Sequence, residues 1–258
     1  MADASGFIGV FDSGLGGISV LRQLVRELPV ERFVLFGDSA NAPYGEKTVG
    51  EVRQLVSNVV EGLLADGAKA IVIACNTATS TSAQLLRAAH PDIPVVGGEP
   101  ALKPAVEALP GGTVLVMATP ITLHLEKFHE LERHVAAGAN VLSAPCPGLA
   151  SRIERGDLDA PDLLDLLRQL VGGYAGEVDG VVLGCTHYPF VRRQIAQVLG
   201  DDVAFFDGGA GTARQTRRLL TERGLLAPAG SKGSVELRSS LDTPEELALY
   251  RQFLGMEA

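Results

Sequence analysis

The sequence predicts an α/β fold, and three observations carry that prediction. Short runs rich in Val, Ile and Phe recur along the chain, segments of helical periodicity separate them, and one strand-and-turn pattern occurs twice. The strand candidates are residues 7–11, 33–36, 70–74, 95–97, 114–117, 141–143, 181–184 and 204–206. Most are continuously apolar and do not alternate, as expected for strands covered on both faces of a parallel sheet.

The helices between them carry clear punctuation. Ile18, Leu21, Val25 and Leu28 share one helical face. Thr48-Val49-Gly50-Glu51 is a capping-box pattern that opens a stripe through Val52, Leu55, Val56, Val59, Val60 and Leu63. Pro161 suits a first helical turn, ahead of Leu163, Leu164, Leu166 and Leu167, and Thr243-Pro244-Glu245-Glu246 caps the last helix. A helix is expected over 123–131, and 227–234, rich in Gly, Ala and Ser, reads as an exposed connection.

Composition narrows the function. The chain has 258 residues, 46% of them hydrophobic and 21% charged, enough for a sizeable core in one large or two small domains. A net charge of -9 argues against a broad nucleic-acid or anionic-membrane surface. It leaves room for a small anionic substrate, because backbone N–H groups make a site locally positive. The start, MADASGFIGVF, shows no basic leader ahead of an apolar run, and no stretch reaches the length of a membrane span. Three cysteines, Cys75, Cys146 and Cys185, in a chain without an export signal fit free thiols in a reducing cytoplasm.

The repeat is the most informative feature. Ala70-Ile71-Val72-Ile73-Ala74-Cys75-Asn76-Thr77 resembles Gly180-Val181-Val182-Leu183-Gly184-Cys185-Thr186-His187, and residues 7–12 and 114–119 form a second corresponding pair. In each copy of the first pair a strand delivers a cysteine, then a polar residue, to a strand–helix turn. Ligands of open α/β sheets bind beyond the carboxyl ends of the strands. Two such halves, face to face, bring Cys75 and Cys185 to one cleft, each expected at a helix N-terminus whose N–H groups favour a thiolate. Two matched thiols suit inversion of a carbon centre, one group removing a proton from one face while the other delivers a proton to the opposite face. Asp12 and His187 are candidate helpers, with helix capping the alternative for Asp12 and a structural role for His187. Cys146, in Ala144-Pro145-Cys146-Pro147, reads as a buried small hydrophobe.

Other chemistries fit less well. Gly14-Leu15-Gly16-Gly17 is not a dinucleotide loop, because its third glycine comes too early; it reads as a tight turn whose N–H groups approach a carboxylate. None of Lys47, Lys69, Lys103, Lys127 and Lys232 lies in a phosphate cradle suited to pyridoxal phosphate. Cys185 and His187 lack a second close pair that would complete a zinc site. A Cys–His hydrolase centred on Cys185 leaves Cys75 without a role.

These motifs together resemble one family. Ile8-Gly9-Val10-Phe11-Asp12-Ser13-Gly14-Leu15-Gly16-Gly17, Pro43-Tyr44-Gly45, Ala74-Cys75-Asn76-Thr77-Ala78 and Leu183-Gly184-Cys185-Thr186-His187-Tyr188-Pro189 occur in the order and spacing of the glutamate racemases. The resemblance covers nearly the whole chain. It implies two α/β domains related by a pseudo-twofold axis, each with a mainly parallel sheet flanked by helices and the active site between them. Residues 1–97 with 208–258 would form the first, discontinuous domain and 98–207 the second.

It further implies interconversion of L- and D-glutamate without a cofactor or metal, supplying D-glutamate for peptidoglycan, by a cytoplasmic enzyme that is a homodimer. Cys75 and Cys185 would be the acid/bases, Asp12 assisting near Cys75, and His187 with Glu154 near Cys185. Ser13, Tyr44, Gly45, Asn76, Thr77, Thr119 and Thr186 would hold the substrate beside Asp12 and His187, through hydroxyls and backbone N–H groups. The alternatives are a racemase of aspartate or another amino-acid derivative, and a silent amino-acid-binding homologue. Departures from the family pattern are Met117-Ala118-Thr119-Pro120, the absence of its usual Ser and Tyr from 123–131, and Asp207-Gly208-Gly209.

Overall fold

The computed structural model describes residues 3–135 and 138–256, apart from the side chains of Lys127 and Val135. Met1 and Ala2 of the N-terminal reading, and the Lys127 side chain of the lysine argument, lie outside the described residues. The chain runs β1 (Phe7–Asp12), α1 (Ile18–Glu27), β2 (Arg32–Gly37), α2 (Val49–Ala65), β3 (Ala68–Ile73), α3 (Asn76–Ala89), β4 (Val95–Gly97) and α4 (Leu102–Ala108). It continues through β5 (Thr113–Ala118), α5 (Pro120–His124), α6 (Glu126–Val135), β6 (Asn140–Pro145), α7 (Leu149–Ile153), α8 (Pro161–Val171), β7 (Gly180–Leu183) and α9 (Arg192–Leu199). The last elements are β8 (Ala204–Asp207), α10 (Gly209–Glu222), β9 (Ser234–Ser239) and α11 (Pro244–Gly255).

Two parallel sheets result. One has the order β4-β3-β1-β2-β9 and the other β6-β5-β7-β8. Read in the matching sense, β4-β3-β1-β2 and β8-β7-β5-β6 are the same arrangement, so the sequence repeat is a repeat of topology, with β9 added to the first copy. In both copies the strand order reverses between the first and third strands. The crevice at such a reversal is where open α/β sheets bind ligands, and here it opens between β1 and β3 and between β5 and β7. The apolar strands are covered on both faces: every residue of β1, β3 and β7 is buried.

Local signals hold where side chains make them. Thr48 Oγ1 accepts from Glu51 N at 3.3 Å while Glu51 Oε2 accepts from Thr48 N at 2.8 Å, closing the capping box of α2. Thr243 caps α11 through Glu246 N, and Pro161 opens α8. Two expectations change. The helix over 123–131 is two helices, broken at Leu125, whose ψ of 138° is extended. Ser234, read as the end of a connection, is the first residue of β9. Only Val235 and Leu237 are apolar in that edge strand, and Glu236 pairs with Arg238 on its exposed side, so no apolar run marked it. Among the described residues no helix is long and apolar enough to cross a membrane.

A buried ion pair ties the ends of the first sheet remote from Cys75. Lys69 Nζ lies 2.7 Å from Glu31 Oε2, each side chain 1% exposed. Lys69 also donates to Ala4 O at 2.8 Å, and Ala227 N donates to Glu31 Oε1 at 2.7 Å. The pair thus holds together the N-terminal segment, β2, β3 and the approach to β9. Removing one partner strands the other charge in the interior. Lys69→Met is expected to cost on the order of 3–5 kcal/mol in urea unfolding, and adding Glu31→Gln should restore most of it. If the single variant were as stable as the parent, this pair would not be what fastens that end of the sheet.

Candidate active site

Both cysteines emerge at the strand-order reversals. Cys75 follows β3 and Cys185 follows β7, and the two line one cavity of about 30 Å³. Ser13, Tyr44, Gly45, Asn76 and Thr77 share its wall from the first sheet's loops. Thr119, Glu154, Thr186 and His187 share it from the second's. The cavity has room for about two water molecules, less than an amino acid needs.

Asp12 lies behind that wall, fully buried. Thr186 Oγ1 donates to its Oδ2 at 3.0 Å and Gly14 N to its Oδ1 at 3.2 Å. Burial raises its pKa to about 6, against the opposing pull of His187. Asp12 was expected as the partner of Cys75. It reaches that thiol through charge, while its hydrogen bonds go to the turn of Cys185 and to its own loop.

The two thiols have different surroundings. Cys75 is the N-cap of α3, and its Sγ accepts from Ala78 N at 3.5 Å, as the helix-terminus expectation requires. Ser13 Oγ lies 3.7 Å away and accepts from the thiol. Burial, and next the charge of Asp12, push Cys75 up to about 12, so it is held as the thiol. Cys185 departs from the expectation. A short 3-10 turn, Tyr188–Val191, follows it, and α9 begins only at Arg192, so Cys185 does not itself cap an α-helix. Its partner is His187, whose Nδ1 lies 3.5 Å from Sγ and whose Nε2 lies 2.7 Å from Glu154 Oε1. Burial pulls the imidazole pKa down, but Cys185 and Glu154 outweigh it and hold His187 well above its usual value. The imidazole thus stands between the Cys185 sulfur on one side and the Glu154 carboxylate on the other.

The glycine loop explains how Glu154 reaches that place. Leu15 N donates to Glu154 Oε1 at 3.1 Å, across the cleft from the other sheet. A Cβ at Gly14 would lie 1.8 Å from Glu154 Oε1, and one at Gly16 would lie 2.6 Å from His187 Nδ1. The loop was expected to bring N–H groups to a carboxylate. It does, and the carboxylate is the protein's own.

The hydroxyls form a second crossing. Thr77 Oγ1 lies 3.0 Å from Thr119 Oγ1 and 3.2 Å from Thr122 Oγ1, and the latter two are 2.9 Å apart. Thr122 was missed. Its signal was the Thr119-Pro120-Ile121-Thr122 spacing, which sets two hydroxyls on the cap and first turn of α5. Tyr44 enters differently from expectation, because its hydroxyl donates to Asp38 Oδ2 at 2.6 Å. Asn41 Nδ2 donates to the same carboxylate at 3.0 and 3.1 Å. Burial and Asp38 keep this phenol protonated. The proton of the Tyr44 hydroxyl is thus committed to Asp38. Cys146 is buried, its Sγ 3.4 Å from Ala144 O, and off the cavity wall.

This geometry agrees with the chain's relatives. The profile of the Asp/Glu/Hydantoin racemase family matches residues 8–216. The glutamate racemase of Clostridium novyi (strain NT) is 46% identical over 251 residues, 96% of this chain and 97% of that protein. Among solved structures, the Francisella tularensis glutamate racemase in complex with D-glutamate superposes with a TM-score of 0.83 at 28% identity, covering 98% of this chain and 95% of that one. The Escherichia coli glutamate racemase, in complex with L-glutamate and the activator UDP-MurNAc-Ala, gives 0.85 at 31% identity, covering 98% and 96%. With two repeated sheets, a cysteine at each reversal and a match along nearly its whole length, the chain belongs to the Asp/Glu/Hydantoin racemase family, and within it to the glutamate racemases.

Proposed function

We propose that the protein interconverts L- and D-glutamate, with Cys75 and Cys185 as the two acid/bases, and supplies D-glutamate for peptidoglycan. The observation that carries the reading is the pair of thiols at equivalent strand ends, lining one cavity from opposite sheets with unequal partners. Burial and Asp12 hold Cys75 as the thiol, and Cys185 faces an imidazole that Glu154 steadies. One acid and one base on opposite sides of a carbon is what inversion requires.

With the base on one face, the α C–H bond breaks and its electron pair moves onto the α-carboxylate. Hydroxyl and N–H donors of Ser13, Asn76, Thr77, Thr119 and Thr186 stabilise that charge as it develops. The thiol on the other face then gives its proton to the α-carbon, and the electron pair returns to form the new C–H bond. The backbone of Tyr44 and Gly45 completes the cradle. Every proton in this scheme moves between side chains of the chain and the substrate. The reading includes a division at 1–97 with 208–258 and 98–207, supported by the membership of the two sheets. It also includes a homodimer in the cytoplasm, where three free thiols stay reduced.

Cys75→Ala and Cys185→Ala are each expected to lower racemisation by at least ~10²–10⁴-fold, the contribution of one positioned proton transfer, and Cys146→Ala to leave it nearly intact. Circular dichroism of glutamate follows the rate. Near-normal turnover in either single variant would sink the two-thiol reading.

Solvent isotope separates two bases from one. In deuterated water, stopped early, product should carry deuterium at the α-carbon while recovered substrate stays mostly protiated, from either enantiomer. Protium carried over into early product would point to a single base serving both faces.

Asp12 gives a stability test. Its proton is held more tightly in the folded chain, at about 6, than in an ordinary aspartate at 3.8, so ionisation disfavours the folded state. That cost is absent below about pH 4, grows between 4 and 6, and is full above 6, on the order of 3 kcal/mol. Asp12→Asn keeps the Gly14 and Thr186 contacts without the charge. At pH 7 it should be more stable than the parent yet slower, and the advantage should vanish as pH falls towards 4. A variant no more stable at pH 7 would mean that Asp12 carries no such cost.

A further inference from the structure

Arg22, on α1, is a buried cation that meets no acidic partner among the described residues. Its guanidinium donates to Phe253 O, in the last turn of α11, and lies over the Phe190 ring with Cζ 5.5 Å from the centroid. Phe253 meets Phe190 edge to face, centroids 4.8 Å apart. The remaining guanidinium atoms, Nε and Nη1, are buried without hydrogen-bond partners among the described residues. Such a group costs folding energy. An apolar side chain of similar length would fill the same space more cheaply, and Phe253 O already accepts a bond from Met256 N.

What the cation touches explains its presence. Phe190 stands three residues after His187 in the short turn behind Cys185, and Phe190 N donates to His187 O at 3.2 Å. Tyr188, in the same turn, is pinned through its hydroxyl to Cys146 O at 3.3 Å. With no α-helix starting at Cys185, this turn carries the backbone of both the sulfur and the imidazole, while Glu154 holds the far side of the ring. Arg22 reaches it from the helix that follows the glycine loop, and α11 closes over it. We propose that Arg22 is a positioning residue for the Cys185–His187 pair, holding Phe190 and the last turn of α11 together so that the imidazole keeps its contact with the sulfur. The proposal rests on the reading of that pair as an acid/base.

His187 is faced by Cys185, Glu154 and Asp12, and Cys185 further by Cys75, Cys146 and Tyr188. Arg22 is not among the main influences on the His187 imidazole, and its contacts run to the turn. Cys75, on the other sheet, then serves as an internal control.

The test uses Arg22→Met, Arg22→Lys and Phe190→Leu in the full chain. Each is measured for Tm, for kcat and KM with glutamate, and for the rates at which iodoacetamide labels Cys185 and Cys75, read by mass spectrometry. For Arg22→Met, kcat should fall roughly 10- to 100-fold with KM little changed, the effect of misplacing a reacting group by about an ångström. Labelling of Cys185 should slow relative to Cys75. Tm should move by no more than ~4 °C, since the lost ring contact and the relieved orphan atoms oppose each other. Arg22→Lys should recover part of the loss, and Phe190→Leu should reproduce it. Unchanged kcat and Cys185 labelling in Arg22→Met and Phe190→Leu would overturn the proposal. So would a large fall in Tm with both cysteines affected alike, which marks a purely structural role. If Arg22→Met does not fold, Arg22→Lys and Phe190→Leu decide by the same two readouts. Should Cys185→Ala prove active, the racemase mechanism fails, whereas slowed Cys185 labelling would still establish the positioning effect.

Discussion

A single oxygen of Glu154 accepts from Leu15 N of one sheet's loop and from His187 of the other. Most of the site depends on that crossing. It needs Gly14 and Gly16, because any side chain at either position would occupy the space of the carboxylate or the imidazole. It needs α7 to end where it does, so that Glu154 points at the loop. Thr186 to Asp12 and Thr77 to Thr119 repeat the pattern, each bond running between elements that belong to different sheets. The cleft is thus closed by the same groups that are proposed to do chemistry. Parting the sheets to admit a substrate also loosens the partners of Cys185.

The parts of this arrangement that the sequence made legible are those written in local chemistry. Continuous apolar runs marked eight strands, and Thr48 with Glu51, Pro161 and Thr243 marked helix starts, because in each case the signal and the structure involve neighbouring residues. The repeat around Cys75 and Cys185 was visible because strand, cysteine and polar turn fall within eight residues. Edge strand β9 was not, since a strand paired on one side needs few apolar residues. The break at Leu125 was missed because helical periodicity continues through it. That Tyr44 turns its hydroxyl to Asp38, and that the glycine loop serves Glu154, are facts of tertiary packing across 6 and 139 residues respectively, and no local pattern encodes them.

The repeat is faithful in topology and unfaithful in detail. Both cysteines sit at a strand-order reversal, yet one caps an α-helix and the other faces a histidine. A duplicated fold supplies two equivalent places for a reacting group; the residues packed around each place decide what the group is. Asp12 and burial hold one sulfur protonated, and the other is set against His187, which Glu154 holds in turn. The difference arises from His187 and Glu154 beside Cys185 and from Asp12 near Cys75, a small change against a shared strand order.

This inequality has a kinetic consequence for the proposed racemisation. The two enantiomers of an amino acid have equal free energies in water, so kcat/KM must be the same in both directions whatever the surroundings of the thiols. Unequal partners can appear only as a lower kcat offset by a lower KM in one direction. After one turnover, moreover, the proton pattern of the two acid/bases is reversed, and the protein must regain its starting form before the next. Return to rest contains no substrate, so its rate does not rise with glutamate concentration. At high concentration the cycle is then governed by exchange of thiol protons with solvent, and the turnover ceiling is set by the empty protein.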